Sequence, residues 1–159
     1  MGNGWNVGEF AAEDLFEMAA IVEQGGFDFY ARLIARSTKP QVKNELKFLR
    51  DEEATHKSFF LEQLRKRGLT PKGKVSPALR NLLDREFLEP MEKIYASGDV
   101  SDADKTLAFG VALEEKTIDF YTTLRSGKAA PEQAADLDRI IAEEGQHKKK
   151  LGIMRSYWG

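Results

Sequence analysis

Glu52-Glu53-Ala54-Thr55-His56-Lys57 recurs as Glu143-Glu144-Gly145-Gln146-His147-Lys148, and its two histidines are the only ones in the chain. Thirty residues upstream of each Glu-x-x-His stands another glutamate, Glu23 and Glu114, and seven residues after each of those a tyrosine, Tyr30 and Tyr121. The constellation therefore repeats at an offset of 91 residues. Its neighbours repeat with it: Asp28-Phe29-Tyr30 matches Asp119-Phe120-Tyr121, and Leu33 matches Leu124. Residues three apart on a helix share a face, so each Glu-x-x-His presents a carboxylate and an imidazole to one point. Four carboxylates and two imidazoles duplicated in this way are what a two-metal site inside a four-helix bundle requires.

The rest of the chain reads as the helices such a site needs. Leu15, Met18, Ala19, Val22, Phe29, Leu33 and Ile34 fall at three- and four-residue steps and predict a helix from about Glu13 to Arg36. Ser37-Thr38-Lys39-Pro40 breaks it, and Pro40 suits the first turn of a second helix that stops at Gly68. Ser76-Pro77 opens a middle helix interrupted or kinked at Pro90 and ended by Gly98. Ser101-x-x-Asp104 resembles a capping box and starts a third long helix ending near Gly127. Pro131 opens a fourth, to about Tyr157. The expected architecture is all-α: a tail (1–12), one bundle domain (13–156) made of hairpins 13–67 and 102–156, and a crossover (68–101) carrying a short extra helix. That crossover is longer than ordinary helix connections and can run the bundle's length, letting the second hairpin pack about a pseudo-twofold axis.

Spacing about the turns ties the motifs together. Glu23 and Glu53 each lie 15 residues from Thr38, and Glu114 and Glu144 each lie 15 from Ala129. At 1.5 Å per residue both members of a pair stand about 22 Å from their turn, facing each other at one height. Tyr30 and Tyr121, two turns from Glu23 and Glu114 on the same face, are placed to hydrogen-bond the carboxylates from behind. Glu52, Glu115 and Glu143 adjoin these residues but are turned about 100° around their helices, so they read as solvated or as outer hydrogen-bond partners. Lys148-Lys149-Lys150 reads as an exposed charge run, and Tyr157-Trp158 as a cap on the core or a subunit contact. Gly25-Gly26 is unusual inside a helix, where each glycine costs about 1 kcal/mol relative to alanine. The pair marks either a close helix crossing or a local irregularity, or open space beside the metals for oxygen or peroxide.

Composition narrows the function. With 42% hydrophobic and 31% charged residues the chain suits a helical globular protein. Its net charge of −2 supplies no bulk field for nucleic acid or an anionic membrane, and no apolar run approaches the ~20 residues that span a bilayer. The first ten residues lack the basic and apolar regions of a signal peptide, so a cytoplasmic location is expected. With no cysteine, disulfides, iron–sulfur ligation and thiolate sites are excluded. Any metal must be held by oxygen and imidazole nitrogen, a set that suits iron or manganese.

Glu-x6-Tyr and Glu-x-x-His, each twice on four helices, resemble the ferritin-like di-iron carboxylate superfamily and, more narrowly, the rubrerythrin family. Glu17-Met18-Ala19, Glu23 and Phe29-Tyr30 resemble the first helix of rubrerythrins, and the resemblance covers about residues 13 to 155. It implies two iron ions per chain, with manganese or zinc as substitutes. Glu53 and Glu144 would bridge them, Glu23 and Glu114 would be terminal carboxylates, and His56 and His147 would each supply nitrogen to one ion. It implies a homodimeric redox enzyme that reduces peroxide or dioxygen. The alternatives are ferritin-type iron oxidation and sequestration, or a bundle whose metal site performs no turnover. Two departures matter. Rubrerythrins usually carry a four-cysteine rubredoxin-like domain; lacking it, this chain would need an external electron donor, a rubredoxin or a flavoprotein. Peroxidase-type rubrerythrins typically carry a further glutamate one turn beyond the first on the third helix. Thr117 stands there, and Gly26 is its repeat counterpart.

Overall fold

The computed structural model describes residues 12–69, 77–97, 103–127 and 131–156, all helices and tight turns. Helix α1 spans Ala12–Arg36 and α2 spans Pro40–Lys66. The crossover contains α3 (Pro77–Leu83), a wide π-helical turn (Asp84–Leu88) and α4 (Glu89–Ser97). Helices α5 (Ala103–Gly127) and α6 (Pro131–Met154) form the second hairpin. The expected boundaries at Gly98 and Ser101, the turn at Ala129 and the Tyr157-Trp158 pair lie outside the described residues. Among the described residues, no helix is long and apolar enough to cross a membrane.

The helix ends follow from their sequences. Pro40 occupies the first turn of α2, where a missing N–H leaves no internal bond unmade. At the other end Gly68 adopts φ +71°, its N–H donating to Arg65 O (2.9 Å) while Leu69 N–H reaches Leu64 O (3.0 Å). This pairing closes the orphan carbonyls, and the left-handed backbone explains the glycine. The interruption expected at Pro90 takes the form of the preceding π turn. Pro90 has no N–H to offer the carbonyl four residues back, and Glu89 N–H bonds Asp84 O five residues back. The wider turn leaves Phe87 and Met91 buried. The fourth long helix stops at Met154, slightly short of the expected end.

The two hairpins lie head to tail, with their turns at opposite ends. Phe29, above Glu23 toward the first turn, meets Phe109 near the start of α5 at 5.7 Å between ring centroids. Below the glutamates, Phe60 meets Tyr121 (5.1 Å) and Phe16 (6.3 Å). This arrangement places the end of α2 and the start of α5 at opposite ends of the bundle, which is why the connection must span its length. Two apolar layers result. Leu33, Leu46 and Leu49 belong with Leu107, Leu151 and Met154 at one end, and Leu15, Phe60 and Leu64 with Leu124, Leu137 and Ile140 at the other. Gly110 permits the close approach at the first end: a Cβ there would stand 3.1 Å from both Phe29 and Leu151 side-chain atoms. The glutamates and histidines occupy the polar layer between.

Candidate metal centre

All six residues singled out by the repeat are buried, from 0% to 5% exposed. Charged groups at that depth are tolerated only when paired or coordinating. Donor atoms of Glu23, Glu53, His56 and Glu144 lie within 4.8 Å of one another, as do those of Glu53, Glu114, Glu144 and His147. Glu53 and Glu144 belong to both groups. The polar layer thus contains two adjacent four-donor clusters that share two carboxylates, each completed by one further glutamate and one histidine.

The clusters interlock across the hairpins. His56 Nδ1 lies 2.8 Å from Glu144 Oε1 and 3.5 Å from Glu23 Oε2. His147 Nδ1 lies 2.9 Å from Glu53 Oε1, 3.2 Å from Glu144 Oε2 and 3.6 Å from Glu114 Oε1. The two rings stack at 5.9 Å with their planes 15° apart. Their other nitrogens turn outward. His56 Nε2 donates to Glu143 Oε2 (2.6 Å) and His147 Nε2 to Glu52 Oε2 (2.7 Å). An ionised carboxylate only accepts, so each Nε2 carries a proton and each Nδ1 is left to face the cluster.

The tyrosines also cross. Tyr30 on α1 donates to Glu114 Oε1 on α5, and Tyr121 on α5 to Glu23 Oε1 on α1, both at 2.5 Å. Each tyrosine thus bonds the glutamate of the other hairpin. Of the three adjoining glutamates, Glu52 and Glu143 are outer hydrogen-bond partners, whereas Glu115 is exposed and paired with Lys148 at 3.1 Å. Within the lysine run, Lys150 lies over the exposed Phe48 ring at 4.0 Å. The sequence offered Gln24 no role, but it accepts from Lys57 Nζ (2.7 Å) and donates to Asp28 Oδ1 (2.9 Å).

At Gly26 the absent side chain is met by the Glu53 carboxylate rather than by a crossing helix. A Cβ at this position would stand 2.6 Å from Glu53 Oε2 and 3.1 Å from Glu53 Cδ, so the missing side chain makes room for that carboxylate. Gly25 faces Met91 of the crossover, whose Cε would lie 3.3 Å from an added Cβ, and it also borders a surface cleft. Thr117 is buried and turns its hydroxyl back to Leu113 O at 2.9 Å. It brings no carboxylate to the cluster.

Protonation of the metal-free cluster follows from burial and like charge. Burial, then the charges of Glu144, Glu23 and Glu114, push Glu53 well above the ordinary carboxylate value. Burial, then Glu114 and Glu23, do the same to Glu144. Burial also raises Glu23, but hydrogen bonds from Glu53, His56 and Tyr121 outweigh it, and its pKa falls. Glu114 is lowered in the same way, with burial overcome by Glu144, His147 and Tyr30. Each hairpin therefore pairs a carboxyl whose proton is held more tightly than usual with one that ionises more readily. Burial lowers His56, but Glu144 and Glu23 carry it up to about 11; His147 is likewise raised by Glu114, Glu144 and Glu53 against burial. Burial, reinforced by Glu114 and Glu23 respectively, keeps Tyr30 and Tyr121 neutral by lifting both well above 10.

These contacts do not satisfy the cluster. Among the described residues, Glu23 Oε2, Glu53 Oε1, Glu144 Oε2 and His147 Nδ1 are buried and make no well-aligned hydrogen bond, although His147 Nδ1 and Glu53 Oε1 face each other at 2.9 Å. All four belong to the two donor groups. Buried polar atoms are rarely left so. Oxygen and imidazole donors converging on two points, with unspent lone pairs and outward hydrogen bonds fixing the rings, fit a pair of iron or manganese ions.

A model of the rubrerythrin family matches residues 14–154, nearly the whole chain. No curated protein and no solved structure matches it.

Proposed function

Because the chain belongs to the rubrerythrin family, we propose that it is a di-iron redox protein that reduces peroxide or dioxygen with electrons from an external donor. The observation that carries this reading is the pair of four-donor groups sharing Glu53 and Glu144, with four buried atoms among their members that make no well-aligned hydrogen bond. Glu23 and His56 would hold one ion, Glu114 and His147 the other, and Glu53 and Glu144 both. When bound, two iron ions would supply the two electrons that an O–O bond accepts.

The chain's own residues prepare for this. Glu143 and Glu52 hold the Nε2 protons of His56 and His147, which fixes both rings with Nδ1 inward. Tyr121 and Tyr30 anchor one oxygen each of Glu23 and Glu114, leaving the second oxygen for a ligand. Protons held on Glu53, Glu144 and both Nδ1 atoms must leave as cations enter, so loading releases acid. The apolar layers above and below limit water at the cluster.

Thr117 bears on the choice of oxidant. Its hydroxyl is engaged with its own helix, and the further glutamate that peroxidase-type rubrerythrins carry at this position is absent. This favours dioxygen, and iron oxidation and sequestration is the second reading. The donor, a rubredoxin or flavoprotein, the homodimer and a cytoplasmic setting belong to the same proposal. Anaerobic iron loading tests it: about two irons per chain and an oxo-bridge absorption band after oxidation are expected, and one metal or none overturns it. Stopped-flow oxidation by peroxide and by dioxygen then separates the oxidants, and core formation with excess iron would mark storage.

A further inference from the structure

Outside the cluster, two clefts meet at Gln24, Lys57 and Leu61 on the α1–α2 face. The smaller, about 360 Å³, is also walled by Glu23, Phe27, Ala54 and Ser58. Glu23, itself fully buried, stands at its inner wall. The larger, about 480 Å³, continues along Ala20, Ile21, Gly25 and Leu88 toward the crossover. A single amide joins them, with Gln24 accepting from Lys57 and donating to Asp28.

The repeat-related face is built differently. Gln24 is replaced by Glu115, which pairs with Lys148, the counterpart of Lys57, at 3.1 Å. Gly25 is replaced by Lys116, which donates to Glu86 of the crossover at 2.7 Å. Gly26 is replaced by Thr117, buried. Two ion pairs and bulkier side chains thus stand where the first face has one neutral amide and two glycines.

The geometry points to one-sided entry: a small uncharged molecule with an O–O bond reaches the cluster from the α1–α2 face, past the Gln24–Lys57 pair, to Glu23. This rests on the proposed di-iron reading. The apolar wall of Ala20, Ile21, Leu61 and Leu88 favours a small neutral molecule over an ion, which would have to shed its water there. Gln24 and Lys57 are then positioning residues of the entrance.

A matched pair of exposed positions tests the asymmetry. Ser58 lies at the mouth and Lys149 is its repeat equivalent on the other face. In the metal-free protein, dissolved dioxygen should relax the methyl protons of Leu61 and Ile21 more strongly than those of Ile141, and Ser58→Trp should remove the excess at Leu61. Equal relaxation at all three sites overturns one-sided entry whether or not metal binds. In the diferrous protein, nitric oxide serves as the neutral probe. Its association should slow roughly tenfold in Ser58→Trp and in Ala54→Trp, and remain near wild type in Lys149→Trp. Equal slowing on both faces, or none, also overturns it. Failure to load iron would count against the proposed function alone, because the methyl measurement still decides the route.

Discussion

Tyr121 on α5 holds Glu23 on α1 at 2.5 Å, although Glu114 stands seven residues before it on its own helix. A hydrogen bond to a charged group contributes about 1.5–3 kcal/mol when buried. Tyr121→Phe should therefore lower the urea stability of the metal-free protein within that range and weaken metal binding roughly 10- to 100-fold. A double-mutant cycle checks the partner: Tyr121→Phe should couple to Glu23→Gln and be additive with Glu114→Gln. Coupling to Glu114 instead would contradict the crossed arrangement.

Gly26→Ala separates metal binding from folding. The new Cβ would collide with the Glu53 carboxylate, a flexible end that moves before the helix does. Alanine meanwhile favours the helix by about 1 kcal/mol. Thermal stability without metal should change by no more than about 1 kcal/mol. Affinity for cobalt, followed by its d–d absorption, should fall at least roughly tenfold. Unaltered affinity would show that Glu53 does not need this space.

The shared carboxylates should weaken the metal-free fold. Glu53 and Glu144 are raised by burial and by their neighbours' charge, so at neutral pH the fold must take up protons there. Glutamine resembles the protonated acid without that requirement. Glu53→Gln with Glu144→Gln should raise metal-free stability by about 1–4 kcal/mol and abolish metal binding, with helical content retained. A destabilised double variant would argue against the protonation scheme.

Metal-free and metal-loaded protein should respond to pH in opposite directions. His56 rises from its ordinary 6.5 to about 11 in the fold, so its stabilisation is complete below pH 6.5 and is lost as pH climbs through 11. His147, Glu53 and Glu144 shift in the same sense. Between these limits the folded chain holds more protons than the unfolded one, and its urea midpoint should fall from pH 7 to pH 9. Ligation requires those protons to leave, so metal affinity should rise over the same interval. Proton release on loading is measurable by calorimetry in buffers of differing ionisation enthalpy.

Helix limits, hairpin pairing and the six buried residues were legible because they depend on local pattern: apolar periodicity, Pro40 and Pro131 at helix starts, and equal distances from a turn. The glutamate-to-turn spacing placed Glu23 beside Glu53 with no knowledge of the second hairpin. What could not be read was which hairpin each outer contact serves. Tyr30 and Glu52 are set on the correct faces by helical spacing, but their partners depend on the head-to-tail placement of the other hairpin, which is a property of packing. Gly26 was ambiguous for a related reason, since nothing in the α1 sequence says that a carboxylate of α2 will lean against it. Pro90 announced a disturbance and left its form open; the π turn is one of several ways to dispense with the missing N–H.

The crossed contacts also sort the positions that the two copies were free to vary. The hydrogen bonds that cross between hairpins around the cluster use the same residue in both halves: Tyr30 and Tyr121, Glu52 and Glu143, His56 and His147. Contacts made on each half's own side differ: Gln24 against Glu115, Gly25 against Lys116, Gly26 against Thr117. Each half thus acts as the template against which the other's interior is checked, since a change to a crossed residue strands a partner in the opposite copy. Flank residues answer to no such counterpart, and there the two halves are free to present different surfaces.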